Sequence, residues 1–260
     1  FFSENKNYQK YYINYINNLL EKNYKVTYLS SEKNDFIDNN KVENIYIGKG
    51  LLRAIIFRII SCKFFYLTIV DLDNHELKKS KNVKNYIYIF HAAVSAHRAY
   101  SNSAFNNYDI ICCLGPFHNN EIKKLESNNL TKKKKLINSG YFYFDYLKSN
   151  YKENINSNKI LIAPSWNYSN DSFFDKYVFE YINYLLDKKE RVILRPHNEH
   201  LKRSYDKIKK IKSAFEKNKN FELDLSNENL FSLQDSKLLI TDYSGIALEY
   251  ILVINKPVIY

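Results

Sequence analysis

The sequence predicts an α/β protein made of two Rossmann-like domains that face a central cleft. Two observations support this prediction. Short apolar runs of strand length alternate with stretches of helical periodicity, and a polar segment rich in Lys and Asn interrupts this alternation over 148–159. We therefore expect an N-terminal domain over 1–150 and a C-terminal domain over 151–260. Because ligands bind beyond the carboxyl ends of parallel strands, functional residues are expected directly after strands.

The first half opens with Phe1 and Phe2, which we interpret as the stub of a strand. Tyr8, Tyr12 and Ile16 recur at helical spacing, and they predict a helix that leads into a strand over 25–30. The further strands predicted in this half cover 45–47, 64–70, 86–90, 109–114 and 136–138. The stretches between these strands are long enough for crossover helices.

After the polar segment the same pattern restarts. Its predicted strands cover 159–163, 191–195, 221–223, 237–241 and 257–260. Its predicted helices cover 171–186, 202–217 and 245–252. Because Phe1 is not an initiator Met and the last predicted strand coincides with the end of the sequence, we interpret the sequence as a fragment.

The composition favours a folded protein with an anionic partner. Hydrophobic residues make up 45% of the 260 residues, which is enough for a sizeable core. The net charge of +11 favours phosphorylated small molecules, nucleic acid or an acidic membrane surface. Abundant Asn, Lys, Ile and Tyr are typical of an AT-rich genome, and no basic stripe interleaved with aromatic residues is visible. Nucleic acid is therefore not the predicted partner.

The cysteines and the apolar runs predict the cell compartment. Cys62, Cys112 and Cys113 offer neither a disulfide framework nor a metal-binding spacing, so we interpret them as small buried residues in a reducing compartment. No run reaches the roughly 18 apolar residues of a membrane span, and no secretory signal is visible. We expect a cytoplasmic protein, and a peripheral location on the inner face of the cell membrane stays open.

The sharpest motif follows the predicted strand over 237–241. Thr241, Asp242, Ser244 and Gly245 form a small polar turn before a helix, whose first backbone N–H groups and positive dipole end favour an anion. Glu249, about one helical turn further on, is positioned to reach a ribose. The alternative interpretation is an ordinary helix cap made by Asp242 or Ser244.

A second motif follows the predicted strand over 191–195. Arg195 is suited to bidentate phosphate binding, and His197, after Pro196, is suited to donating a proton to a leaving phosphate. The alternative is a salt-bridged arginine and a surface histidine. Pro164 and Ser165 follow another strand of the same half and are predicted to line the same site.

A third motif places His91 directly after the strand over 86–90. An imidazole that titrates near neutrality is a suitable base for an attacking hydroxyl, although a single histidine is often structural. Ser95 and His97 follow closely and are candidate substrate-binding residues, but no nucleophile-elbow motif indicates a hydrolase. Asp71 and Asp73 imitate a metal clamp without a second ligand cluster, so no metal is expected.

The segment over 50–60 is mostly apolar and carries two arginines. It is either a crossover helix packed on the sheet, which we favour, or a surface that dips into an anionic membrane.

Taken together, these motifs resemble the CDP-glycerol glycerophosphotransferase family, which contains the teichoic-acid-type primases and polymerases. The resemblance is carried by His91, Gly140-Tyr141, Pro164-Ser165, Arg195-Pro196-His197 and Thr241-Asp242-Tyr243-Ser244-Gly245. It implies the two-domain GT-B architecture, a CDP-linked donor held by the C-terminal half, and no metal cofactor. It further implies that His91 is the base and that Arg195 and His197 lie at the donor phosphates. Ser244 and Gly245 would form the diphosphate seat, and Glu249 would be an acidic donor contact.

The expected function is transfer of a polyol phosphate from a CDP-activated donor to a hydroxyl of a cell-surface glycan or a lipid-linked acceptor. One alternative is a GT-B glycosyltransferase that uses a nucleotide sugar in capsule or surface polysaccharide synthesis. Another is a non-catalytic module whose basic surface holds nucleic acid or an anionic glycan.

Overall fold

The computed structural model describes residues 1–74, 77–128, 132–166, 171–226 and 228–260. The chain divides into two compact units, Phe1–Tyr143 and Phe144–Tyr260. The division falls near the start of a helix over Phe142–Asn150, whereas the sequence suggested a boundary at 150/151. The residues over 151–158, at the centre of the predicted linker, contain neither helix nor strand.

Unit 1 contains parallel strands only, among its described residues. One sheet has the order β1-β2-β3 and a second has the order β4-β5-β6-β7, and β1 also lies against β4. The strands therefore follow the order 3-2-1-4-5-6-7, which is the doubly wound arrangement. Their bounds are β1 Phe2–Ser3, β2 Val26–Ser30, β3 Val42–Tyr46, β4 Cys62–Leu67, β5 Val83–Ile89, β6 Ile110–Cys113 and β7 Lys135–Asn138.

Helices cover both faces of these strands. Tyr86 and Tyr88 of β5 belong to one buried cluster, and Ile87 and Ile89 belong to the other, as the two-residue period of a strand requires. The second cluster includes Tyr12, whose hydroxyl donates to the carbonyl of Phe2 at 2.7 Å. The helices of unit 1 are α1 Gln9–Glu21, α2 Leu51–Ile59, α3 Ala96–Ala99 and α4 Pro116–Asn128. Helix α5, Phe142–Asn150, begins at the end of unit 1 and belongs mostly to unit 2.

The described residues of unit 2 form one parallel sheet of order β10-β9-β8-β11-β12. Its strands are β8 Lys159–Ile162, β9 Arg191–Leu194, β10 Phe221–Leu223, β11 Leu238–Ile240 and β12 Val258–Ile259. Its helices are α6 Phe173–Lys176, α7 Val178–Asp187, α8 Asn198–Arg203, α9 Tyr205–Phe215, α10 Leu230–Gln234 and α11 Gly245–Glu249, which continues as a π-helix over Tyr250–Ile254. Apolar side chains of α7 and α9 pack with those of β8 and β9 in one buried cluster.

The predicted α/β class with parallel sheets is confirmed, and the predicted strands lie within a few residues of the observed ones. Two predicted helices are each divided in two. The helix predicted over 171–186 breaks at Tyr177, and the helix predicted over 202–217 breaks at Ser204, whose φ is −129°. The short helix α10 was not predicted, because its five residues are too few to establish a periodicity.

None of the helices within the described ranges is both long and apolar enough to span a lipid bilayer.

Candidate active site

The residues that directly follow β8 and β11 join the carboxyl ends of these two strands through hydrogen bonds. The buried Thr241 hydroxyl donates to the Ala163 carbonyl at 2.6 Å. The Asp242 carboxylate accepts both the backbone N–H of Ser165, at 2.6 Å, and its hydroxyl, at 2.7 Å. Pro164, between these contacts, is buried. Two motifs separated by 77 residues therefore form one hydrogen-bonded edge.

Arg195 lies directly after β9, as predicted, and is held by the segment that follows β10. Its Nη1 donates to Asp224 at 2.6 Å and to the Ser226 hydroxyl at 3.2 Å, and its Nη2 donates to the Ser226 carbonyl at 2.9 Å. The two charged side chains are only 11% and 7% exposed. Burial alone would raise the pKa of Asp224, but the Arg195 charge and the hydroxyls of Ser226 and Ser232 lower it.

His197 follows the buried Pro196 and caps helix α8. Its Nδ1 accepts the backbone N–H of Glu199 at 3.2 Å, while the side chain remains exposed. The surrounding protein disfavours the imidazolium and lowers the pKa of His197, and the carboxylates of Glu199 and Asp242 oppose this shift. Because β9 and β11 both pair in parallel with β8, the motifs that follow β9 and β11 lie at the same edge of unit 2.

The motif after β11 begins helix α11, as the sequence predicts. Ser244 is the N-cap residue, and its N–H donates to the Asp242 carbonyl at 2.6 Å. Gly245 is the first helical residue, and helical backbone continues through Ile254. The start of α11 therefore lies at the carboxyl edge of the sheet, where the sequence predicts the anion-binding turn.

Glu249 lies further along α11 and is only 6% exposed. Its carboxylate accepts a 2.6 Å hydrogen bond from Asn229, which is also buried. Contact between Glu249 and a ribose would therefore require one of its carboxylate oxygens to become more accessible.

In unit 1, His91 lies two residues after the end of β5 and is surrounded by aromatic rings. Its ring centroid is 5.5 Å from that of Tyr8 and 6.2 Å from that of Tyr11. Tyr11 also stacks on Tyr141 at 6.1 Å and meets Tyr143 edge-on at 5.3 Å. Aromatic packing, which has geometric preferences of its own, therefore contributes to the orientation of this imidazole.

Ser95 and His97 are brought together by Glu121 of α4. The Ser95 hydroxyl lies 2.8 Å from His97 Nδ1 and donates to Glu121 at 2.9 Å, while the backbone N–H of Ala96 donates to the same carboxylate at 2.7 Å. Burial alone would raise the pKa of Glu121, but these hydrogen bonds and the nearby His97 lower it. Glu121 thus fixes the start of α3, close in sequence to His91.

The carboxylates that imitate a metal clamp stabilise a loop. Asp71 accepts hydrogen bonds from the hydroxyls of Ser101 and Ser103, and Asp73 accepts the backbone N–H of Lys79 at 3.0 Å. Across the part of the chain that the structure describes, no group of three or more His, Cys, Asp or Glu side chains is placed to hold a metal ion.

Asp224, Asn229 and Glu121 were not identified from the sequence. Asp224 carries the same signal as the predicted residues, because it is a polar residue directly after a strand. Glu121 carries no such signal, since it lies within a helix and its partners are 25 and 26 residues away.

The amino-acid sequence matches a known protein family over a range that includes the site of unit 2. Residues 118–260 match the family described as CDP-Glycerol:Poly(glycerophosphate) glycerophosphotransferase. This match covers more than half of the chain and includes the whole of unit 2. A search of curated protein sequences finds no match.

Several solved structures share the fold. The wall teichoic acid polymerase TagF, in crystals soaked with CDPG, has a TM-score of 0.60 at 16% identity, over 99% of this chain and 67% of that chain. The UDP-GlcNAc 2-epimerase of Methanocaldococcus jannaschii has a TM-score of 0.56 at 12% identity, over 96% and 79%. The MnaA protein of S. aureus, solved with UDP, has a TM-score of 0.56 at 13% identity, over 99% and 77%. These likenesses confirm the predicted GT-B fold.

Proposed function

This chain belongs to the CDP-glycerol:poly(glycerophosphate) glycerophosphotransferase family and is an enzyme of that type. From this premise we propose that it transfers a polyol phosphate from a CDP-activated donor to a hydroxyl of a cell-surface glycan or a lipid-linked acceptor. The observation that carries the proposal is the common edge of unit 2, where Asp242 links Ser165 to the start of α11 and where His197 follows β9 of the same parallel sheet. All of these residues lie within the family match.

The proposed reaction is a displacement at the β-phosphorus of the donor. The acceptor oxygen forms a bond to this phosphorus, and the bond from phosphorus to the bridging oxygen breaks, which releases CMP. His91 takes the proton of the acceptor hydroxyl. His197, the hydroxyl of Ser244 and the backbone N–H of Gly245 stabilise the charge that develops on the departing phosphate.

The remaining donor contacts are assigned to neighbouring residues. Arg195 presents its guanidinium to the donor phosphates, while Thr241, Asp242, Pro164 and Ser165 form the floor beneath them. Glu249 is the proposed acidic contact, and Pro196 fixes the backbone before His197. In unit 1, Ser95 and His97 are assigned to the acceptor.

The first experiment measures thermal unfolding with CDP, UDP and GDP. CDP at a hundredfold excess over its Kd should stabilise the protein by about 2.7 kcal/mol, or several degrees in Tm, whereas UDP and GDP should have little effect. The variant Arg195→Ala should lose this protection. The matched control Arg203→Ala, which removes an exposed arginine of α8 paired with Glu199, should retain it.

A second experiment identifies the transferred group. CDP-glycerol, CDP-ribitol and several nucleotide sugars are each incubated with the protein and a hydroxyl acceptor, and release of the nucleotide is measured. Release of CMP from a CDP-polyol supports the proposal. Release of a nucleoside diphosphate from a sugar donor, without release of CMP, would replace it with a glycosyltransferase.

Peripheral binding to an anionic membrane is the second part of the proposal, and helix α2 supports it. Phe57 anchors this helix in the core, yet Leu51, Leu52, Ile55 and Ile59 are 45–77% exposed. Exposed apolar side chains beside a cationic residue fit an anionic lipid interface, and Arg58 is exposed on the same helix.

The membrane contact is tested by co-sedimentation with vesicles. The wild-type protein should sediment with phosphatidylglycerol vesicles and not with phosphatidylcholine vesicles. The double variant Leu52→Ser with Ile55→Ser should remain in the supernatant. The control Tyr181→Ser with Tyr184→Ser removes exposed apolar area from α7 and should still sediment. Equal sedimentation of the two double variants would exclude α2 as the contact.

A further inference from the structure

Asp224 lies outside every motif in the sequence, yet it is the most heavily hydrogen-bonded carboxylate near Arg195 among the described residues. Its Oδ2 accepts Arg195 Nη1 and the hydroxyl of Ser232, and its Oδ1 accepts the backbone N–H and the hydroxyl of Ser226 at 2.9 and 2.5 Å. The Asp224 N–H donates to the Leu194 carbonyl at 2.9 Å, which extends the pairing of β10 with β9. The backbone bond of Asp224 and the hydrogen bonds from Ser226 and Ser232 therefore hold the carboxylate in place independently of Arg195.

A residue at the start of α10 contacts a second residue that is assigned to the CDP-linked donor, Glu249. Asn229, at the N-cap of α10, donates to Glu249 of α11 at 2.6 Å. Asp224 and Asn229 thus connect the segment between β10 and α10 to Arg195 on one side and to α11 on the other. Neither Asp224 nor Asn229 belongs to the motifs that carry the family resemblance.

We propose that Asp224 is a positioning residue that acts on the transfer reaction through Arg195. An arginine side chain has many rotamers, and ordering it on ligand binding costs conformational entropy. Here, two nitrogens of the guanidinium are held by Asp224 and Ser226, so its plane is set before the donor binds. The Asp224 charge also offsets part of the arginine charge. Asp224 therefore contributes to the orientation of Arg195 more than to the attraction between Arg195 and the donor phosphates. This inference rests on the proposed function.

The test is the variant Asp224→Asn, which keeps the size of the side chain and removes its charge. We expect kcat/KM for a CDP-polyol donor to fall about 10- to 100-fold, through a lower kcat and a higher donor KM, because Arg195 is assigned both to binding of the donor phosphates and to the transfer. The matched control is Glu222→Gln on β10, two residues before Asp224, where the carboxylate pairs with Lys159. This control should retain the wild-type kcat.

A double-mutant cycle shows whether Asp224 acts through Arg195. Adding Asp224→Asn to Arg195→Ala should cause no further loss of kcat, because the group that is positioned has already been removed. Equal further loss in both backgrounds would overturn the inference, as would a wild-type kcat in Asp224→Asn. Turnover is expressed per folded molecule, measured by circular dichroism, so that lost stability alone does not change the result.

A milder variant keeps the inference testable if Asp224→Asn does not fold. Ser226→Ala removes hydroxyl contacts to Asp224 and Arg195 at an exposed position, and it should lower kcat several-fold in a folded protein. Unchanged kcat in this folded variant would overturn the positioning role. If the wild-type chain neither binds CDP nor releases CMP, the proposed function itself fails, and the inference fails with it.

Discussion

The strand ends of the two units hold their candidate residues by different physical means. In unit 1, His91 packs against the rings of Tyr8 and Tyr11. In unit 2, carboxylates bind the candidate residues directly, as Asp224 binds Arg195 and Asp242 binds Ser165. Ring packing orients an imidazole without placing a charge beside it, whereas a carboxylate fixes a cation or a hydroxyl and alters the local electrostatics. This difference fits the proposed roles, a base in unit 1 and oriented ligands of the donor phosphates in unit 2.

The largest expected effect concerns His197. The variant His197→Ala should lower kcat by a hundredfold or more, about 3 kcal/mol, if the ring meets the charge of the transition state. Steady-state kinetics with a CDP-polyol donor measure this loss. A variant with the wild-type kcat would show that the imidazole of His197 takes no part in the transfer.

The next effect concerns the stability of unit 2 in acid. His200 is buried between Trp166 and Phe174, and burial, together with the nearby His197, lowers the pKa of His200 to about 4. The folded state therefore disfavours a proton that the unfolded state accepts below about pH 6.5. The contribution of His200 to stability is complete above this pH and decreases as the pH falls toward 4, by up to about 3 kcal/mol.

Urea unfolding at several pH values, followed by fluorescence, checks this slope. Trp166 is the one tryptophan of the sequence and lies 5.0 Å from His200 between ring centroids, so its emission reports on unit 2. The variant His200→Phe should flatten the slope between pH 4 and 6.5. The variant Ser213→Ala, at an exposed position of α9 without a titratable group, should leave it unchanged.

A smaller effect is expected for the hydroxyl of Ser165. Ser165→Ala removes one of the two hydrogen bonds that Ser165 donates to Asp242, and it should lower the free energy of unfolding by about 1–2 kcal/mol. Ser213→Ala, at an exposed position of α9, should change this free energy by less than about 0.5 kcal/mol. Equal losses in the two variants would show that the carboxylate network of unit 2 is not stabilising.

The smallest effect is expected for the aromatic packing of unit 1. Tyr11→Leu removes one of the rings against His91, and kcat should fall several-fold, equivalent to about 1 kcal/mol. Thermal protection by CDP, which depends on unit 2, should be unchanged. A loss of CDP protection in Tyr11→Leu would contradict the division of roles between the units.

The positions of the strands and of the residues after them could be predicted from the sequence, and their partners mostly could not. The mostly apolar run over 191–195 ends in a charged residue, Arg195, directly after β9. Buried parallel strands are apolar, whereas the residues that follow them are often polar. The predicted phosphate ligand Arg195 is engaged by Asp224, which lies 29 residues further along the chain. No local pattern encodes a pairing of that length.

The same limit applies to helix boundaries. The predicted helix over 202–217 begins earlier in the structure because the side chain of His197 caps α8, and it is interrupted at Ser204. Periodicity identifies the face that a helix buries, but a cap made by an imidazole gives no recognisable pattern.

That cap has a consequence for proton chemistry. A neutral imidazole whose Nδ1 accepts a backbone N–H must carry its hydrogen on Nε2, so the tautomer of His197 is set by the peptide of Glu199. Rotating the ring to present the other nitrogen would break the cap and leave an amide at the start of α8 without this acceptor. The side chain is therefore a donor of fixed polarity, whose hydrogen points away from its own helix.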